Sequence, residues 1–180
     1  MNDAKARPGA VDYGSAATSF QLATEMFAQK AGVSFNHIPY KGSAQVVQAV
    51  RGQQVPMTFA DSAAVIAQVN ANALRPLAVT SQERISSLPN VPTVAESGYP
   101  NYEMVLWSGL FAPAGISPEI VAKLQAAVQK AMQDPSMRSR LETLGVQPIG
   151  STSAQLASTM KEQIAQYTKV AKKANIQISQ

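Results

Sequence analysis

Apolar and polar positions follow two rhythms along the chain, one extended and one helical, and the two interleave. Val11-Asp12-Tyr13 reads as a short strand that stops at Gly14-Ser15. Leu22, Met26 and Phe27, with Ala23, recur at helical spacing, which predicts a helix from about Phe20 to Lys30. Thr18 or Ser19 can cap its start, and Gly32 ends it. Val33 to Ile38 is the next strand, closed by Pro39. Ser43 to Arg51 is a helix ended by Gly52, with Val46, Val47 and Val50 on its inner side. Val55 to Phe59 reads as a third strand, Ser62 to Val69 as a helix and Leu74 to Thr80 as a fourth strand. Strand and helix in regular alternation predict a parallel α/β layer covered on both faces.

The register changes after Thr80. The apolar run ends in Thr80 and Ser81, small hydroxylated residues that hydrogen-bond or stop a strand. Pro89 and Pro92 then fix φ and remove two backbone donors, so this segment cannot join a sheet interior. It reads as a rigid, extended crossing. Glu103 to Phe111 predicts another strand, apolar and carrying the only tryptophan, Trp107, expected in a core. Ser117 caps and Pro118 begins a helix through Met132, as suits proline in a first turn. Asp134-Pro135 opens another, to Leu144, stopped by Gly145. Val146 to Ile149 reads as a short strand, Ser153 as the cap of a last helix to about Ala174, and Gln177-Ile178 as a final short strand.

Composition narrows the class. With 180 residues and 46% hydrophobic content, the chain can bury one solid core or two small ones. Charged residues are only 14%, which excludes a disordered, charge-rich chain. The net charge of +4 is scattered, with a mild cluster at Lys169, Lys172 and Lys173, so no nucleic-acid stripe is present. A positive balance also suits capture of anionic solutes. Without cysteine there is neither disulfide nor thiol chemistry, which fits a periplasmic protein. No stretch is long and apolar enough to cross a membrane as a helix. Residues Met1 to Arg7 lack the apolar centre of a signal peptide.

Candidate chemistry clusters at the ends of the predicted strands. The loop Gly14-Ser15-Ala16-Ala17-Thr18-Ser19 joins a strand end to a helix N-terminus. Free N–H groups and the positive end of the helix dipole there suit a carboxylate, and Ser15, Thr18 and Ser19 add donors. Ordinary capping explains one hydroxyl but not three. Thr58-Phe59-Ala60-Asp61-Ser62 ends another strand on the same side, where Asp61 either accepts from a ligand or caps the helix. Pro39-Tyr40-Lys41-Gly42 joins the same rim, with Lys41 able to attract an anion and Tyr40 walling a cleft or packing as core. Arg84 lies at the crossing and either borders the cleft or braces the crossing by pairing with Glu96. Ser15, His37 and Asp61 can be written as a triad, but His37 lies inside a strand and no nucleophile-elbow motif is present. A packed or surface histidine is expected instead. One histidine and no cysteine give no zinc spacing, no phosphate-cradling glycine loop occurs, and nothing demands a cofactor.

Three segments occur in one order: Ile38-Pro39-Tyr40-Lys41-Gly42-Ser43-Ala44, then Leu77-Ala78-Val79-Thr80-Ser81 with Arg84, then Leu88-Pro89, Val91-Pro92-Thr93 and Ala95-Glu96-Ser97-Gly98. With Trp107, Ala112-Pro113-Ala114-Gly115, Pro118 and Asp134-Pro135, they closely resemble the solute-binding proteins of tripartite tricarboxylate transporters, the Bug family. The resemblance implies an α/β, periplasmic-binding-protein-like (type II) architecture of two lobes with the solute between them. Residues 1–10 would form an N-terminal crossover, 11–80 lobe two, 81–104 the interlobe crossing and 105–180 the C-terminal part of lobe one. Lobe two is then complete, whereas the leading part of lobe one, expected before residue 1, is missing, as in an N-terminally truncated member. Apolar surface and strand edges should lie exposed in the C-terminal part, covered by a homodimer, a domain swap or a repacking.

The resemblance further implies a periplasmic, non-enzymatic receptor. It would capture a small organic acid by its carboxylate and deliver it to the two membrane subunits of the transporter, with no nucleic-acid partner. Its ligand contacts would come from Ser15, Ala16, Thr18 and Ser19, from Tyr40 and Lys41, and from Phe59, Ala60 and Asp61. Many family members carry a longer, glycine-rich first loop followed by His-Leu, where this chain has Gln21-Leu22. Two other readings stand beside this one. In the first, the chain is a dimerising interaction module without ligand; in the second, it is a hydrolase using Ser15.

Overall fold

A computed structural model describes residues 1–176, so the strand expected at Gln177-Ile178 lies outside the described residues. A helix not predicted from the sequence, α1 (Asn2–Ala6), precedes strand β1 (Asp12–Ser15). Helix α2 (Thr18–Ala31), strand β2 (Asn36–Pro39), and helices α3 (Ser43–Arg51) and α4 (Ser62–Asn70) follow. After the crossing come α5 (Pro118–Gln133), α6 (Pro135–Thr143) and α7 (Ser153–Lys173).

Strand β1 is central because it hydrogen-bonds on both edges. On one edge its register with parallel β2 is Tyr13 to His37 and Ser15 to Pro39. The carbonyls of Val11 and Ser15 accept from the N–H groups of Asn36 and Tyr40, each at 2.9 Å. On the other edge the Gly14 N–H donates to the Met57 carbonyl at 3.1 Å, making a single parallel bridge to Thr58. The third predicted strand is reduced to that bridge. Pro56 fixes φ there and has no N–H to offer on the side away from β1, so the segment ends the sheet. The fourth predicted strand, which contains Pro76, leaves the sheet and makes one parallel bridge, Val79 to Thr93, with the proline crossing. That bridge uses the Pro92 carbonyl and the Val94 N–H, groups the prolines leave intact.

Alternation along β1 sends its side chains to two layers. Tyr13 is fully buried towards α2, where its hydroxyl donates to Glu25 at 2.8 Å. Gly14 faces α3, and a Cβ there would overlap Val46 and lie 2.9 Å from the Tyr40 ring. The main core joins α2 (Leu22, Ala23) to the crossing (Val94, Tyr102, Met104) and to α7 (Val170, Ala171). The Tyr102 hydroxyl donates to the Ala23 carbonyl at 2.9 Å, and Gln29 donates to the Val170 carbonyl at 3.3 Å. Phe27 sits among Tyr99, Phe59, Tyr102 and Phe35, with ring centroids 5.1 to 6.4 Å away.

The C-terminal half is thinner. Helices α5 and α6 bury no residue, while Leu110, Phe111 and Ile149 are more than half exposed. The expected apolar surface is therefore present. Among the described residues the strands expected at Glu103–Phe111 and Val146–Ile149 are not: after the Met104 N–H bonds the Thr80 carbonyl, the backbone finds no ladder partner there. Trp107 is exposed, not core, and donates from Nε1 to Gln163 at 2.7 Å. The last helix is capped by Thr152 in a reciprocal box with Gln155, not by Ser153.

Gly14→Ala should destabilise the fold by about 1–3 kcal/mol, the cost of overpacking a filled site. Urea denaturation measures it, and an unchanged midpoint would show that Val46 and Tyr40 yield freely.

Candidate functional site

Three loops leave the same edge of the sheet because each follows the C-terminal end of a parallel segment. Residues 16–17 follow β1, 40–42 follow β2, and 59–61 follow the bridge at Thr58. Each leads into a helix, and the N-cap positions of α2, α3 and α4 are Ala17, Gly42 and Asp61. All three have extended backbone, and none supplies a side-chain cap. The later helices differ. Ser117 accepts from the Ile120 N–H, Asp134 from Ser136 and Met137, and Thr152 from Gln155. Three helix N-termini on one rim thus keep first-turn N–H groups and partial positive charge free of any side-chain cap, an arrangement suited to an anion.

The predicted site residues fall unevenly around this rim. Neither Thr18 nor Ser19 caps α2, which starts earlier than predicted, so both hydroxyls lie in its first turn, Thr18 exposed and Ser19 half-buried. Ala16 and Ala60 are half-buried in their loops. Lys41 is exposed, and its N–H donates to the Gln45 side chain at 3.1 Å. Tyr40 packs beneath the rim against Gly14, and Phe59 rests on Phe27 with ring centroids 6.0 Å apart. Asp61 holds the N-cap position of α4 without capping it, leaving its exposed carboxylate without a hydrogen bond among the described residues. The next residue, Ser62, donates to the Gly145 carbonyl at 3.1 Å and ties α4 to the end of α6.

Ser15 lies inward of the rim. Its side chain is 3% exposed, and its Oγ lies 2.7 Å from His37 Nε2. The hydroxyl expected to meet a ligand is engaged inside the sheet layer. The pair arises because Tyr13 and Ser15 share one face of β1 while His37 shares that face of β2, a register that spacing along the chain does not disclose. Burial pushes the His37 ring below its ordinary pKa, which favours the neutral form. Asp61 makes no bond to the ring among the described residues, so the triad lacks its acid, and Ser15 lacks the access a nucleophile needs. At the crossing, Arg84 donates to Glu96 at 2.9 Å, and Glu96 accepts from the Thr93 N–H at 2.7 Å. The Arg84 bond and then the Thr93 bond hold the Glu96 carboxyl below its usual range. Arg84 therefore braces the crossing.

Comparison with known proteins gives these features a context. The family described as tripartite tricarboxylate transporter family receptor matches residues 1–176. The "UPF0065 protein in gbd 5'region" of Cupriavidus necator is 39% identical over 163 residues, covering 89% of this chain and 49% of that protein. R. palustris Rpa4515, solved with adipate, superposes with a TM-score of 0.84 at 34% identity, covering 97% of this chain and 59% of that one. The periplasmic binding protein BugD superposes with a TM-score of 0.77 at 28% identity, covering 98% and 60%. The fold is thus that of periplasmic binding proteins. The chain spans about half the length of the curated relatives it matches.

With one histidine in the chain, pH isolates His37. Its folded pKa lies below the unfolded value of about 6.5. As pH falls through about 6.5, the unfolded chain takes up the proton first, so stability should fall until the folded pKa is passed. Urea midpoints between about pH 7.5 and 5.5 should drop in the native protein and stay flatter in His37→Gln. Equal slopes in the two would show that the ring does not carry the effect.

Proposed function

We propose a function from one premise: the chain belongs to the tripartite tricarboxylate transporter receptor family. The reading is a receptor that holds a small organic anion by its carboxylate and makes or breaks no bond. It then delivers the anion, outside the cytoplasm, to the membrane subunits of a tripartite transporter. One observation carries it: the N-termini of α2, α3 and α4 share a sheet edge and none has a side-chain cap. A carboxylate placed there accepts from the first-turn N–H groups of α2, while the hydroxyls of Thr18 and Ser19 supply further donors. Lys41 draws the anion to the rim, and Asp61 accepts from a hydroxyl or amine elsewhere on the solute. Ala16 and Ala60 let backbone approach closely, and Tyr40 and Phe59 form the apolar wall beneath. Residues 11–80 act as one lobe, and residues 105–180 contribute to the second. The adipate of the R. palustris relative, a dicarboxylate, belongs to the solute class such a rim accommodates.

The exposed Leu110, Phe111 and Ile149 favour a second reading of the same chain, self-association that covers this apolar surface. Sedimentation at rising concentration should show a homodimer, and a monomer throughout would set this reading aside.

Isothermal titration with adipate tests the first reading. Thr18→Ala with Ser19→Ala should raise Kd by about a hundredfold or more, since each donor to a charged group contributes about 1.5–3 kcal/mol. Unchanged affinity in the double variant would remove these residues from the site.

A further inference from the structure

Ser15 is held at two points, by β2 and by the residue that follows it. Its carbonyl accepts from the Tyr40 N–H at 2.9 Å, and its buried hydroxyl meets His37 Nε2 at 2.7 Å. His37 is itself fixed: its ring lies against the Tyr13 ring, with centroids 5.0 Å apart and planes 32° apart. Tyr13, fully buried, donates its hydroxyl to Glu25 on α2 at 2.8 Å. A continuous path therefore runs from Glu25 through Tyr13 and His37 to Ser15. Ser15 is the last residue of β1, and only Ala16 and Ala17 separate it from the first turn of α2. The direction in which the chain leaves Ser15 sets where the uncapped N–H groups of α2 point.

We infer that His37 is a positioning residue for the solute: by holding the Ser15 hydroxyl it fixes the exit of the first loop, so that the α2 N-terminus, not Ser15 itself, meets the carboxylate. This deepens the receptor reading above and rests on it. A neutral imidazole and a hydroxyl can satisfy one another in either tautomer, so the bond needs no charge and survives across the neutral range. It also ties the loops after β1 and β2 into one unit before any solute arrives. Loop ordering is one of the costs of binding, and a loop already fixed in place avoids it.

The test is a double-mutant cycle on the full chain with adipate as probe, using Ser15→Ala, His37→Leu and the two together. Each single variant should raise Kd by about tenfold, the worth of one neutral hydrogen bond, and the double variant should raise it no further. His37→Gln, whose amide reaches the Nε2 position, should recover most of the affinity, which a purely space-filling role would not give. Additive losses, or an unchanged Kd in His37→Leu, would overturn the inference. Hydrogen exchange without adipate separates it from the receptor reading. The Tyr40 amide and the amides of residues 16–19 should exchange about tenfold faster in either single variant and no faster in the double. If the native chain ignores adipate while exchange behaves so, the receptor reading fails and the positioning link stands. If exchange is unchanged, the link fails whatever adipate does.

Discussion

Strand β1 is only four residues long, yet it hydrogen-bonds along both edges and packs on both faces. That double demand leaves little freedom in its sequence. Gly14 must lack a side chain for Tyr40 and Val46 to close on one face, while Tyr13 fills the other with a ring whose hydroxyl finds Glu25. Burial and then the Glu25 bond drive the Tyr13 phenol well above its ordinary pKa, so it remains a donor under all ordinary conditions. Because its neighbours run parallel to it, the loops that follow them all leave one edge. The rim with three uncapped helix N-termini is a direct result of that topology and of the residues at the caps. Alanine and glycine have no side-chain oxygen to offer, and Asp61 makes no cap bond to the α4 N–H groups.

The crossing is rigid by local means. Thr93 and Glu96 exchange hydrogen bonds between side chain and backbone, Ser97 donates to the Thr93 carbonyl, and Arg84 reaches back to Glu96. The ion pair itself is half exposed and contributes little by charge alone. Its geometric role is larger, because Val94, Tyr102 and Met104 reach the core only if the crossing arrives at a fixed angle.

Much of this could be read from the chain, and the division follows range. The bounds of α3 were legible to the residue because Ser43 and Gly52 flank a single valine-bearing turn pattern. Gly32 at φ 66°, Pro118 at the start of α5 and the Asp134 cap are likewise local signals. The predicted strands that dissolved carry prolines or lack partners: Pro56 and Pro76 each remove a ladder donor from an otherwise apolar run. A strand such as 103–111 exists only if something pairs with it, which an apolar run does not reveal. At the site, the loops and their common edge followed from the alternation of elements. The bond between Ser15 and His37 did not, since it depends on the register of β1 against β2. The sequence allowed Ser15 and His37 to be written together as part of a triad, but without the register nothing in the chain fixes that they meet.

The pairing of α7 with α2 has a consequence in time. Gln29 bonds the carbonyl of Val170 and Gln166 reaches Met26, contacts between residues 141 and 140 positions apart. Tyr102 similarly bonds Ala23 across 79 positions. Closing loops of that length costs entropy before any contact repays it, so folding of such a core is slow compared with that of a helical hairpin. During synthesis α2 can meet the crossing first, but the part of its apolar side that packs on Val170 and Ala171 stays uncovered until α7 has emerged. The α2–α7 part of the core therefore closes late, and this region stays incompletely folded until α7 docks.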